Sequence, residues 1–160
     1  MQWNAEIEAA QARIAPHLRR TPVMEAAGFG LPFPVALKLE QTQYTGSFKA
    51  RGAFNTLLSR EVPAAGLVAA SGGNHGAAVA YAGATLGHRA RIFVPEMAGP
   101  AKTSLIDRLG ADLTVVPGAY ANALEAARAH EAETGAMQIH AYDAPATVAG
   151  QGTVMAEWEA

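Results

Sequence analysis

Residues 66–76 read Gly-Leu-Val-Ala-Ala-Ser-Gly-Gly-Asn-His-Gly. The run from Gly66 to Ala70 is short and apolar, as a strand buried on both faces should be. Ser71-Gly72-Gly73 then turns the chain, and the following residues carry a helical pattern to about Leu86. The same rhythm repeats downstream. Arg91 to Val94 predicts a strand and Pro100 to Leu109 a helix with proline near its start and Gly110 at its stop. Leu113 to Val116 predicts a third strand, Tyr120 to Glu133 a helix, and Met137 to His140 a fourth strand, with a further helix over Thr147 to Glu159. Strands alternating with helices of ten or so residues predict an α/β fold, a four-stranded parallel open sheet with helices on both faces.

Upstream the reading is looser. Asn4 to His17 predicts a helix capped by Asn4 and ended near Pro16. Thr21 to Pro34 is broken by Pro22, Gly28, Gly30, Pro32 and Pro34 and reads as irregular. Val35 to Glu40 alternates apolar and polar as a half-buried strand does, with no evident partner. Ser47 reads as the N-cap of a helix running to Ser59. The expected division is 1–53, an incomplete part of a larger domain; 54–146, a small α/β domain; and 147–160, the start of a return helix. The helical pattern persists to Ala160, and the expectation is of a chain lacking its second half.

Composition removes several function classes. The chain has 160 residues, a net charge of −2 and no cysteine, which excludes disulfide scaffolds, cysteine-ligated metals and thiol nucleophiles. With no basic excess, neither nucleic acid nor an anionic membrane is an expected partner. No apolar run reaches the roughly 18 residues of a membrane span, and a cytoplasmic location is the default expectation. The five histidines show no metal-ligand spacing. Glu125, Arg128 and Glu157 read as solvated charges.

Two segments carry chemistry. In Thr45-Gly46-Ser47-Phe48-Lys49, the lysine falls in the first turn of a helix, near the positive end of the helix dipole, where a cation is disfavoured and its pKa should fall. A lowered pKa suits an amine nucleophile; a surface lysine reaching into water is the other reading. In Ser71-Gly72-Gly73-Asn74-His75-Gly76, paired glycines admit a ligand to the backbone, and a helix N-terminus offers free N–H groups to an anion. A tight strand-to-helix connection is the plainer alternative. Gly73, Gly76 and Glu96 also partly match a dinucleotide fingerprint, but Ser71 stands where its first glycine belongs. A non-catalytic Rossmann-like module binding a nucleotide or a partner at this turn therefore stays open.

Together the two segments resemble the fold-type II pyridoxal-phosphate enzymes, and among them the threonine/serine dehydratase and serine racemase group. The matching residues are Lys38-Leu39-Glu40, Thr45 to Lys49 with Arg51-Gly52-Ala53 and Asn55, Ser71 to Gly76, Val94-Pro95 with Lys102, Gly110-Ala111 and Ala149 to Thr153. The resemblance implies pyridoxal 5′-phosphate as cofactor and a small amino acid as substrate. It makes Lys49 the Schiff-base lysine and the base at the substrate's α-carbon. It sets Phe48 beside the cofactor and Asn74 on its 3′-hydroxyl. Ser71, Gly72, Gly73, Asn74 and His75 hold the substrate carboxylate. The implied reaction is β-elimination from a serine- or threonine-type amino acid to a 2-oxo acid and ammonia.

Within the group, racemases carry a second serine where this chain has Gly72, which disfavours racemisation. Tyr142-Asp143 resembles the aromatic–Asp pair of the dehydratases. Cysteine synthases follow their lysine with Asp-Arg, whereas Ala50-Arg51 stands here. The family's glycine-rich phosphate loop is expected beyond Gly152, outside these 160 residues, so the polypeptide alone is expected to bind the cofactor poorly and to turn over little. A homodimer is one arrangement the resemblance suggests for the full-length family; it leaves this chain's own state open.

Overall fold

A computed structural model describes residues 2–159. Four parallel strands form the central sheet: β3 (Leu67–Ala70), β4 (Ala90–Pro95), β5 (Asp112–Val116) and β6 (Met137–Gln138). Their order is β5-β4-β3-β6. From β3 the chain steps outward to β4 and β5. It then returns over the other face to β6, on the far side of β3, so the strand order reverses at β3. Alternation along β3 and β4 divides the core in two. Leu67, Ala69, Ile92 and Val94 face one cluster, with Phe54, Val79 and Ile106. Val68, Ala70 and Phe93 face a second, built on Ala123 and Ala127. The first cluster lies under α2 (Lys49–Leu58), α3 (Asn74–Leu86) and α4 (Pro100–Arg108), the second under α5 (Tyr120–Thr134). The predicted parallel sheet, helical on both faces, is the observed one. The β6 ladder also reaches further than its two residues, since Ile139 N–H donates to Val68 O at 2.9 Å.

The N-terminal region departs from the sequence reading. Val23–Ala26 is a strand, β1, pairing antiparallel with β2 (Val35–Lys38) from Val23↔Lys38 to Ala26↔Val35. The strand expected to be unpartnered thus has a partner inside the stretch read as irregular. Val23, Met24 and Glu25 are all exposed, so β1 carries no alternation to read. Helix α1 spans Trp3–Ile14, begins after Gln2 without a side-chain cap, and buries Ala10 and Ile14. Asn4 lies inside it rather than capping it. It packs on α6 (Pro145–Glu159) and on α2.

Glycines set how closely these helices approach. A Cβ at Gly150 would lie 2.6 Å from Arg51 O and 2.8 Å from Gly52 Cα, and one at Gly152 would lie 2.6 Å from Ile7 Cδ1. The Gly150-Gln151-Gly152 motif therefore has a packing reason: glycine at 150 lets α6 sit against the α2 backbone, and glycine at 152 leaves room for the Ile7 side chain of α1.

A buried ionic network ties the hairpin, α2 and α6 together. Arg51, 2% exposed, donates from Nε to Glu40 Oε2 (2.9 Å) and from Nη2 to Glu40 Oε1 (2.7 Å), a bidentate pair. Its Nη1 donates to Glu157 Oε2 at 2.9 Å. Lys38 Nζ donates to Glu157 Oε1 and to Thr21 O, both at 2.6 Å. Two cations and two carboxylates balance. Glu157, expected as a solvated charge, is instead a hub. The Arg51 and Lys38 hydrogen bonds, with one from Thr21 N–H, overcome its burial and hold its pKa down at about 2.

Candidate active site

Lys49 lies in the first turn of α2, as the sequence predicts, and is its first residue, the capping position being Phe48 rather than Ser47. Ser47 Oγ still accepts from Lys49 N–H at 3.4 Å. The chain has three lysines, Lys38, Lys49 and Lys102. Lys38 is committed to Glu157. Lys49 meets no carboxylate among the described residues; its Nζ donates to Ala141 O at 2.7 Å. It also lies 5.1 Å from the Phe48 ring centroid and 5.6 Å from that of Tyr142, within cation–π range. Its pKa is lowered, as expected, but by burial. The cause is loss of water around an amine tucked beneath two rings, rather than the helix dipole argued from position.

Ser71 to Gly73 form the turn after β3. Gly73 N–H donates to Ser71 Oγ at 3.2 Å. Asn74 opens α3 and is exposed, and its side-chain amide meets no hydrogen-bond partner among the described residues. In the first turn of α3, Ala77 N–H reaches Gly73 O. The N–H groups of residues 74–76 come before the first intrahelical bonds, as helix geometry requires. His75 is buried, with a ring nitrogen, Nε2, 2.8 Å from Ile139 O. A carbonyl only accepts, so Nε2 carries the proton and Nδ1 is the unprotonated nitrogen. That Nδ1 is buried and meets no partner among the described residues.

One short segment joins these two places. Ile139 O takes His75 and Ala141 O takes Lys49, two residues apart just beyond β6. Lys49's charge also helps depress the His75 pKa, behind the larger effect of burial. The lysine and the glycine turn therefore meet beside the carboxyl ends of β3 and β6, where strand order reverses and open α/β sheets bind ligands. The two carbonyls escape a sequence reading because main-chain acceptors leave no side-chain signature. Among the described residues no cluster of metal-ligating side chains occurs and no helix is long and apolar enough to cross a membrane.

The linkage between these groups and stability has a definite sign. Burial, chiefly, lowers the His75 pKa from 6.5 to about 4. The unfolded chain thus takes up a proton near 6.5, while the folded protein waits until about 4, and stability falls as pH drops across that window. Glu157 acts lower down. Its stabilisation is present above 4.5 and is lost as pH falls through about 2. Urea midpoints should therefore fall in two stages on acidification. The upper stage should be missing in His75→Gln and the lower in Glu157→Gln; a midpoint flat from about pH 7 to about pH 4 would contradict the His75 geometry.

Fold and site together define an α/β protein that sets an amine beside a glycine turn at a helix start. The chain belongs to the pyridoxal-phosphate dependent enzyme family, which matches residues 14–160. It is 36% identical over 152 residues to an L-threonine ammonia-lyase of Geobacter sulfurreducens, covering 92% of this chain and 38% of that protein. The fold superposes on maize serine racemase with a TM-score of 0.91 and 35% identity, covering 96% of this chain and 48% of the other. It superposes on the T.th. threonine deaminase with a TM-score of 0.89 and 41% identity, covering 97% and 50%. The chain thus spans less than half the length of that ammonia-lyase and about half of each solved chain.

Proposed function

We propose that this chain contributes the amine and the carboxylate-binding turn of a lyase that eliminates the β-hydroxyl of a serine- or threonine-type amino acid, releasing a 2-oxo acid and ammonia. The observation that carries this reading is the pair of tethers at Ile139 O and Ala141 O, which bring Lys49 and the Ser71–His75 turn to one place. The residues present suit the cofactor of the family. Lys49 is an amine with a burial-lowered pKa and no carboxylate partner among the described residues, and Phe48 stands 5.1 Å from it. Pyridoxal 5′-phosphate, when bound, supplies an aldehyde for an amine and a ring that accepts the electrons released at the α-carbon.

The chain's own groups do the rest. The N–H groups at the start of α3, with Gly72, Gly73 and the Ser71 hydroxyl around them, receive the substrate carboxylate. Asn74, exposed and without a side-chain partner among the described residues, is free to hold the cofactor's 3′-hydroxyl. Lys49 Nζ takes the α-proton, since its lowered pKa leaves more of it neutral. His75, kept neutral by burial, fixes the turn through Ile139 O without adding a charge beside the amine.

Gly72 argues for elimination over racemisation. Racemisation by two bases needs a proton donor on the face opposite Lys49, and a Cβ at residue 72 would collide with Ala98 Cβ. No side chain fits there unless Ala98 gives way. The protein as its gene encodes it, given pyridoxal phosphate and L-serine, should form pyruvate and ammonia with no D-serine above background by chiral chromatography. D-serine formed as fast as pyruvate would overturn this reading.

A further inference from the structure

The backbone leading into Lys49 is strained. Thr45 has φ +64° and Gly46 φ +76°, two left-handed residues in succession. Glycine adopts that conformation freely, but a β-branched side chain is disfavoured there. The Thr45 hydroxyl is also buried and meets no partner among the described residues. A turn with both costs persists only where its surroundings impose it.

Those surroundings begin one residue upstream. Tyr44 stacks on Tyr81 of α3, with ring centroids 5.1 Å apart and planes 27° from parallel. Arg19 Cζ lies 4.2 Å from the Tyr44 ring centroid, within cation–π range, and Arg19 Nη1 donates to Thr42 O at 3.0 Å. Gln43, 3% exposed, closes the clamp. Its Oε1 accepts from the N–H groups of Arg19 (3.1 Å) and Tyr44 (3.0 Å), and its Nε2 donates to Arg19 O at 2.7 Å. Tyr81 also meets Phe54 of α2 edge to face, with centroids 5.9 Å apart. Helix α3 is thus braced against residues on both sides of Lys49 in the chain, and its own start carries the Ser71–His75 turn. Arg19, Gln43, Tyr44 and Tyr81 have no part in the chemistry above.

Catalysis is steep in the separation of amine and turn, since a base misplaced by about 1 Å can lose on the order of 10²-fold in rate. We propose that Tyr44, held by Arg19 and Tyr81, is a positioning residue for Lys49. It keeps the Thr45-Gly46 turn in its strained form, so that the amine faces the start of α3, and it touches no reacting atom. The inference rests on the elimination reading, in which Lys49 is the base.

The test uses the protein as its gene encodes it, loaded with pyridoxal phosphate, with L-serine as substrate. In Tyr44→Ala, kcat per lysine-bound cofactor, counted by its visible absorption, should fall about 10²-fold. KM should stay within about 3-fold, because the carboxylate-binding turn is intact. Tyr44→Phe keeps the ring face and should keep both constants. A merely structural role would lower bound cofactor and turnover together and leave their ratio unmoved. If Tyr44→Ala melts too early to assay, Arg19→Met takes its place. Arg19 is exposed, and this change removes only the cation over the ring and the bond to Thr42 O; kcat per bound cofactor should then fall about 3-fold. An unchanged ratio in whichever of the two is assayed, or an equal loss in Tyr44→Phe, overturns the proposal and leaves the elimination reading standing. Absence of pyruvate from the unsubstituted protein overturns both.

Discussion

Lys49→Ala, in the protein as its gene encodes it, should abolish both the visible absorption that pyridoxal phosphate gains on condensing with a lysine and the release of 2-oxo acid, the latter by on the order of 10³-fold or more. The expectation follows from what each lysine is doing. Lys38 is tied to Glu157 and to Thr21 O, with its side chain 3% exposed. Pulling it out would leave a carboxylate in the hairpin–α6 junction without one of its partners. Lys49 gives up only a single carbonyl hydrogen bond and two ring contacts. It is also the amine whose pKa burial depresses, so it offers the larger neutral fraction for attack on an aldehyde. The variant should fold, because the side chain contributes little to the core. Unchanged thermal melting alongside loss of the absorption would separate a chemical role from a structural one. Lys49→Arg should fail in the same way, since a guanidinium stays charged and does not condense.

The second large effect is on stability. Arg51→Met should cost about 3–5 kcal/mol, because it leaves the largely shielded Glu40 and Glu157 carboxylates with only Lys38 to offset their charge. In a domain of this size that is a fall in Tm on the order of 10 °C. Arg51→Lys should recover little of it, since an ammonium cannot span both oxygens of Glu40 while also reaching Glu157. The loss should not extend to replacing all four charged groups with packed apolar residues, for which the desolvation cost of the network disappears with the network. Urea denaturation reads this directly, and an Arg51→Met midpoint equal to that of the unsubstituted protein would show that the four groups are not coupled as the geometry requires.

How far the sequence speaks depends on the range of the interaction. β3 and β4 are legible because a strand covered on both faces must be apolar at every position, and Leu67–Ala70 and Ile92–Val94 are. β1 is not, because its side chains face solvent and Pro and Gly flank it, so the pairing with β2 leaves no pattern. Lys49 and Ser71–His75 are legible as local motifs, a helix start and a glycine turn. The partners that bring them together, the carbonyls of Ile139 and Ala141, are main-chain atoms that any residue would supply. Glu157 defeats the reading for a different reason. Its partners Lys38 and Thr21 lie 119 and 136 residues away, and nothing near it in the chain distinguishes it from a solvated acid. Gly150 and Gly152 are visible as a motif, yet their reason, the close approach of α6 to α2 and α1, is a property of packing.

The most direct test of the account is to load the protein as its gene encodes it with pyridoxal phosphate, reduce it with borohydride and locate the modified lysine by peptide mass spectrometry. The account predicts a single pyridoxyl group, on Lys49. Modification of Lys38 or Lys102 in its place, or of no lysine at all, would contradict it.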